Sequence, residues 1–396
     1  MNILICPDKF KGSLSAHQVA HAIEKGVKRF APDFNCNLHP LADGGDGSMA
    51  VLLAYLNADK ISTKVCNPLG VPIEAHYYLS EKTAFIELAE ASGFALLTPN
   101  QRNPMFTSTY GTGEQILDAI NRGAKEIFLF LGGSATNDAG MGIAHALGFQ
   151  FFDDFGEAVL PTGENLYTIK EILPPKESQL QNIRFTCLCD VKNPLLGSNG
   201  ASRTYAAQKG ALPSEIEHLE SAMAYFAALI HQKFDINITY LEGGGAAGGV
   251  SAGLFALLNA QIKSGIQTIF RLTQFEQAVQ NADLIISGEG KLDEQTLEGK
   301  VILGVSQLCL KHKKPLLLVV GHSQLNTSAL SSMGVVEVLS VLDKAGNMET
   351  AMANGGEIVE ELVLEYMNEV KNISNSSCNL CSTQRLGGTE FLLSNK

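Results

Sequence analysis

The chain has 396 residues, 45% of them hydrophobic and 18% charged, with a formal net charge of −12. That length accommodates two domains of ordinary size, each with its own core. The acidic balance and the lack of any Lys/Arg run argue against nucleic acid or an anionic membrane as a partner, and the longest apolar runs, such as residues 315–320, are far too short to span a bilayer.

Taken in chain order, short apolar runs alternate with helical patterns, the signature of an α/β fold with a parallel sheet and crossover helices. Residues 2–6 read as a first strand. Charge arrives by Asp8, so this is not a signal peptide. The eight cysteines are scattered, which fits a reducing, cytoplasmic location. Ser13 or Ser15 can cap a helix running to about Phe30, and residues 46–57 read as another helix. Residues 84–88, 126–131 and 183–189 read as strands. Over 214–233, the apolar residues Ile216, Leu219, Met223, Phe226 and Ile230 recur at three-four spacing, so one face of a helix is core. Three late strands follow, at 283–287, 315–320 and 335–341, separated by helices; a last helix ends near Val370. These elements predict a doubly wound, discontinuous domain of residues 1–64 and 283–371. Residues 65–282 form an inserted second α/β domain. Residues 372–396, rich in Asn, Ser and Thr without an apolar period, read as a loose tail.

Three glycine-rich loops stand out. Gly132-Gly133-Ser134-Ala135-Thr136-Asn137-Asp138 lies after a strand and before a helix, where outward N–H groups and a helix N-terminus suit phosphate oxygens. The second, from Gly243 to Gly249, satisfies G-x-G-x-x-G. No acid lies about twenty residues downstream, where a ribose partner is expected. A dinucleotide cradle and close helix packing both remain open, so a nicotinamide-dependent oxidoreductase of a small hydroxy acid is the alternative function. The third is Ser287-Gly288-Glu289-Gly290-Lys291-Leu292-Asp293, again directly after a strand. No P-loop motif occurs, and the HRD signature of protein kinases is missing.

Acids gather at expected strand ends and glycine turns, where ligands sit in doubly wound sheets. They are Asp8, Asp43, Asp46, Asp190 and Asp293, with Asp46 and Asp138 also suited to capping helices. Few carboxylates with phosphate oxygens and water are what Mg²⁺ prefers, and a further carboxylate can take the proton of an attacking hydroxyl. Lys11, Arg203, Lys209, Lys291 and Lys300 lie in or beside these segments and could neutralise a phosphate or carboxylate. His17 and His21 form no metal pattern. The lone C-x-x-C of Cys378 and Cys381 lacks the second pair that zinc needs.

At this point the residues resemble a known family. Pro7-Asp8-Lys9-Phe10-Lys11-Gly12-Ser13-Leu14-Ser15-Ala16, Ala42-Asp43-Gly44-Gly45-Asp46-Gly47, the loops beginning at Gly132 and Ser287, Cys189-Asp190-Val191-Lys192-Asn193-Pro194-Leu195, Gly200-Ala201-Ser202-Arg203 and Gln208-Lys209-Gly210 are similar, in order, to motifs of the bacterial type I glycerate kinases. Relatives can carry a Ser-Tyr-Lys version of the segment 8–11; Lys11 is kept. The resemblance implies a flavodoxin-like discontinuous domain, an inserted α/β domain and an active site between them. It implies ATP-dependent phosphorylation of D-glycerate with Mg²⁺, usually to 2-phosphoglycerate, with 3-phosphoglycerate as the other product. The expected nucleotide site comprises Gly132, Gly133, Ser134, Asn137, Gly288, Glu289, Gly290 and Lys291. Asp8, Arg203 and Lys209 are expected at the substrate, Asp43 and Asp190 at the metal, and Asp190, Lys11 and Asp293 in the chemistry. Glycerate and ATP are the expected partners, without nucleic acid or membrane; a homo-oligomer is left open.

Overall fold

A computed structural model describes residues 1–42, 44–45, 47–176, 180–293, 296 and 301–379. Asp43, Asp46, Lys300 and Cys381 lie outside the described residues. The chain forms two compact units, Met1–Asp43 with Ile266–Lys396, and Gly44–Gly265. Sequence reading set the joints instead at 64/65 and 282/283. Strand pairing and helix packing place the intervening stretches. Asp59–Cys66 pairs with Pro72–Ser80 in the inserted unit, and the helix Phe275–Asn281 packs beside strand Asn2–Ile5.

The discontinuous unit is built on a five-stranded sheet in the order Val335–Ser340, Leu316–Val320, Leu284–Ser287, Asn2–Ile5, Asn35–Leu38, every pair parallel. Its inner strands are buried on both faces, which is why they read as unbroken apolar runs. Ser15 caps the helix Ala16–Phe30 in a capping box with Gln18. Val19, Ile23 and Val27 of that helix join Val359 and Val363 of the helix Gly355–Asn379 in one core with the sheet. This last helix runs beyond Val370 to Asn379, so the first residues of the expected tail are helical; the rest of that tail lies outside the described residues.

The inserted unit carries a six-stranded sheet in the order Gln261–Lys263, Arg184–Leu188, Glu126–Phe130, Thr83–Glu87, Pro72–Ser80, Asp59–Cys66. The first four strands are parallel and the last two antiparallel. The helix Pro213–Phe234 buries Leu219, Met223, Phe226 and Ile230, the face its spacing predicts. The helix expected over 46–57 is only Ser48–Leu52, entered through a left-handed Gly47. Among the described residues, no helix is long and apolar enough to cross a membrane.

Candidate active site

In the discontinuous unit, the neighbouring parallel strands Asn2–Ile5 and Leu284–Ser287 deliver two loops from their carboxyl ends. The loops are joined by backbone bonds, Cys6 N to Ile286 O and Asp8 N to Gly288 O, both 2.8 Å, and by the Ser287 hydroxyl on Cys6 O at 2.8 Å. Gly288 sits so close to the next strand that a Cβ would lie 2.0 Å from Val319 O, so only glycine fits. From the third strand, Gly321 N donates to Glu289 O at 3.1 Å and His322 N to Gly290 O at 3.2 Å. The Glu289 side chain is buried and accepts from the Thr296 hydroxyl, bracing the loop from inside. Lys291 pairs with Asp293 at 2.9 Å, in a half-exposed setting where such a pair contributes about 1 kcal/mol at most. Asp8 Oδ1 accepts from Lys9 N at 2.6 Å, and Lys11 is exposed. Asp8, Lys11, Gly288, Glu289, Gly290, Lys291 and Asp293 therefore lie in loops at the carboxyl end of one sheet. Sequence reading did not single out His322, whose backbone N–H braces this loop from the step directly after a buried strand.

In the inserted unit, three adjacent parallel strands end side by side. Glu126–Phe130 leads to the loop of Gly132, Gly133, Ser134 and Asn137. Asp138 closes this loop, fully buried, and accepts from Thr109 N and Oγ1 at 2.8 Å and from Gly140 N and Gly142 N at 3.2 Å. Burial pushes its carboxyl pKa up, and these donors oppose that rise. The role is architectural, like the capping role its position suggests. Lys209 is buried as well, and its ammonium donates to Ser134 Oγ at 2.8 Å and Thr136 O at 2.7 Å. Asn137 Nδ2 donates to Ser202 Oγ at 3.1 Å.

The middle strand, Arg184–Leu188, leads to Asp190. Its Oδ1 accepts from Ser264 Oγ at 2.6 Å and Gly265 N at 3.0 Å, both just after the third strand, Gln261–Lys263. Arg203 is turned to the helix Pro213–Phe234, with Nη2 2.8 Å from Glu217 Oε2 and Nε 4.0 Å from Glu220 Oε1. Glu220, whose pKa burial pushes up, also accepts from Gly197 N at 2.7 Å and so fixes the loop after Asp190.

Glu87, another strand-end acid, was not singled out from sequence. It accepts from Gly47 N at 3.1 Å and Met49 N at 3.2 Å, anchoring the helix that follows the 42–47 segment. The segment Gly243 to Gly249 is entirely buried. Gly248 has φ +69°, and a Cβ there would lie 2.1 Å from Thr136 O. Ala139 N donates to Gly248 O at 3.1 Å. The G-x-G-x-x-G match is thus a small-residue contact against the 132–138 loop, and its backbone faces protein where a pyrophosphate would have to sit.

Glycine loops and strand-end acids in this arrangement invite comparison with known proteins. The sequence model of the Glycerate kinase family matches residues 3–371. A protein of Halalkalibacterium halodurans named glycerate kinase is 38% identical over 362 residues, covering 91% of this chain and 95% of its own length. The glycerate 2-kinase of Escherichia coli K12 is 36% identical over 390 residues, covering 98% and 99%. A crystal structure from Salmonella typhimurium LT2, provisionally described as glycerate kinase 2, matches with a TM-score of 0.82 and 36% identity over 95% of this chain and 99% of that one. With likeness running almost end to end, and with both loop clusters inside the matched span, the chain belongs to the glycerate kinase family.

Proposed function

We propose that the chain transfers the γ-phosphoryl group of ATP to D-glycerate in the presence of Mg²⁺, forming 2-phosphoglycerate. The observation that carries this reading is the Asp190 carboxylate, fixed beyond a buried parallel strand by the Ser264 hydroxyl at 2.6 Å and the Gly265 N–H at 3.0 Å. A carboxylate held in place at a strand end can orient a substrate hydroxyl and accept its proton as the hydroxyl oxygen bonds to phosphorus. The bond from the γ-phosphorus to the β–γ bridging oxygen breaks, and ADP leaves.

Phosphoryl transfer asks little covalent chemistry of a protein and much positioning of charge. Backbone N–H groups around Gly132, Gly133, Ser134 and Asn137, and around Gly288, Gly290 and Lys291, suit phosphate oxygens. Lys11 and Lys291 add positive charge, and Asp293 beside Lys291 is a second acid within reach of the same loop. Asp8 and Arg203 are assigned to the glycerate side, Arg203 acting from its pair with Glu217.

Hard carboxylate oxygens fit Mg²⁺. Asp190 and Asp43 would hold it, and the ion supplies charge neutralisation at the phosphate oxygens when bound.

The experiment is ADP release measured with a panel of small hydroxy acids, with the phosphorylated position read by phosphorus NMR. Activity with D-glycerate and a signal at the 2-position is expected. No ADP from well-folded protein with glycerate, ATP and Mg²⁺ refutes the reading, and a 3-position signal corrects the product.

A further inference from the structure

We propose that Lys209 is the positioning residue of the 132–138 loop, tying Ser134 to Thr136 through its ammonium, and that the charge of this ammonium lets the loop hold an anionic ligand. The inference rests on the reading of that loop as a phosphate or carboxylate site.

Lys209 is 4% exposed, and its donors reach one side-chain and one main-chain oxygen of the loop, at 2.8 and 2.7 Å. Both acceptors are uncharged. A buried charge without a counter-charge is costly to fold around. The neighbouring cations are committed elsewhere, Arg203 to Glu217 and Arg102 Nε to Leu97 O. The nearby acid is Asp138, whose oxygens already serve Thr109, Gly140 and Gly142. Burial pushes the Lys209 pKa down to about 7, with Asp138 pulling the other way. An anion at the loop would add a counter-charge to that of Asp138 and draw the pKa further up, so its binding takes up a proton just above neutrality. The loop also has capacity that folding leaves unused. Thr136 Oγ1, a hydroxyl that can donate to an anion, and Asn137 Oδ1, which can accept from a ligand hydroxyl, are buried without a hydrogen-bond partner among the described residues. A lysine that merely filled space would need neither its charge nor any link between its protonation and ligand.

The test uses the full chain with Lys209→Met, Lys209→Arg, Ser134→Ala and Asn137→Ala. ATP with Mg²⁺, and D-glycerate, are titrated separately by calorimetry at pH 6.5 and 8, in two buffers of different protonation enthalpy. In the parent chain, one of these ligands binds with proton uptake and more weakly at pH 8. Lys209→Met weakens that ligand by roughly 10- to 100-fold, the scale of a lost charge-assisted bond, and abolishes the uptake. Lys209→Arg, which stays charged, keeps affinity within a few-fold and loses the uptake. In turnover, KM for that ligand rises more than kcat falls. Parent-like affinity and uptake in Lys209→Met overturn the inference; if that variant does not fold, uptake persisting in Lys209→Arg does so. Weakening in Ser134→Ala or Asn137→Ala without it in Lys209→Met removes only the lysine's role. If no variant at the three positions changes the binding of either ligand, the loop reading falls with it.

Discussion

Ser264 donates its hydroxyl to Asp190 Oδ1 at 2.6 Å across 74 positions of sequence, so the candidate base is oriented by a residue from the neighbouring strand end. The Gly265 N–H, 3.0 Å from the same oxygen, completes the anchor.

Replacing Asp190 by Asn keeps the shape and removes the proton acceptor. Loss of a general base typically costs about 10²–10⁴ in rate, so kcat falls by that order with little change in KM for ATP. Ser264→Ala loosens the acid and lowers kcat by roughly tenfold, the scale of one hydrogen bond. Asp43→Asn raises the Mg²⁺ requirement and is partly rescued by excess metal, whereas Asp190→Asn, which loses the proton acceptor together with a metal ligand, is not rescued. Steady-state kinetics at varied Mg²⁺ separates these effects. Near-normal kcat in Asp190→Asn would transfer the role to Asp293.

Asp138 is buried and satisfies donors at Thr109, Gly140 and Gly142. Truncation to Ala strands all of them. Denaturant unfolding of Asp138→Ala shows a loss of roughly 3–5 kcal/mol, and Asp138→Asn loses less because one amide oxygen still accepts.

His39 is 5% exposed and packs edge-on against Phe275 with ring centroids 5.1 Å apart. Burial pushes its pKa down from 6.5 to about 4. Between those values the unfolded chain binds a proton that the folded chain does not, so stability is lost as pH falls from 6.5 towards 4. The full effect is roughly 3 kcal/mol. Unfolding midpoints at pH 7.5 and 5 fall apart less in His39→Gln than in the parent chain.

Gly248→Ala would place a Cβ 2.1 Å from Thr136 O at a left-handed backbone position. The variant melts lower and binds its loop ligand more weakly. NAD and NADP leave the melting temperature of the parent chain unchanged, since this motif faces protein. A nicotinamide-dependent rise in melting temperature would restore the oxidoreductase reading.

Stopping the chain after Asn372 keeps Ile358, Val359, Val363 and Met367, the buried face of the last helix. Melting temperature and turnover stay close to those of the full chain. Removing residues from Gly355 onward strips that face and leaves the unit unfolded, as circular dichroism will show.

Local pattern fixed much of this protein in advance. The inner strands announce themselves because burial on both faces demands unbroken apolar residues, as in Leu316–Val320. The helix Pro213–Phe234 shows its buried face through three-four spacing. The acids and glycines of the loops, and the family they resemble, are legible because they cluster within a few residues. Tertiary structure alone decided what those residues touch. Lys209 meets Ser134 from 75 positions away, Glu87 meets Gly47 from 40, and Asp190 meets Ser264 from 74. It also gave Gly243 to Gly249 a packing role where the motif allowed a cofactor. A short motif encodes backbone freedom at its own residues. Which loop lies opposite depends on the order and register of parallel strands, and sequence-distant segments set that order by packing together.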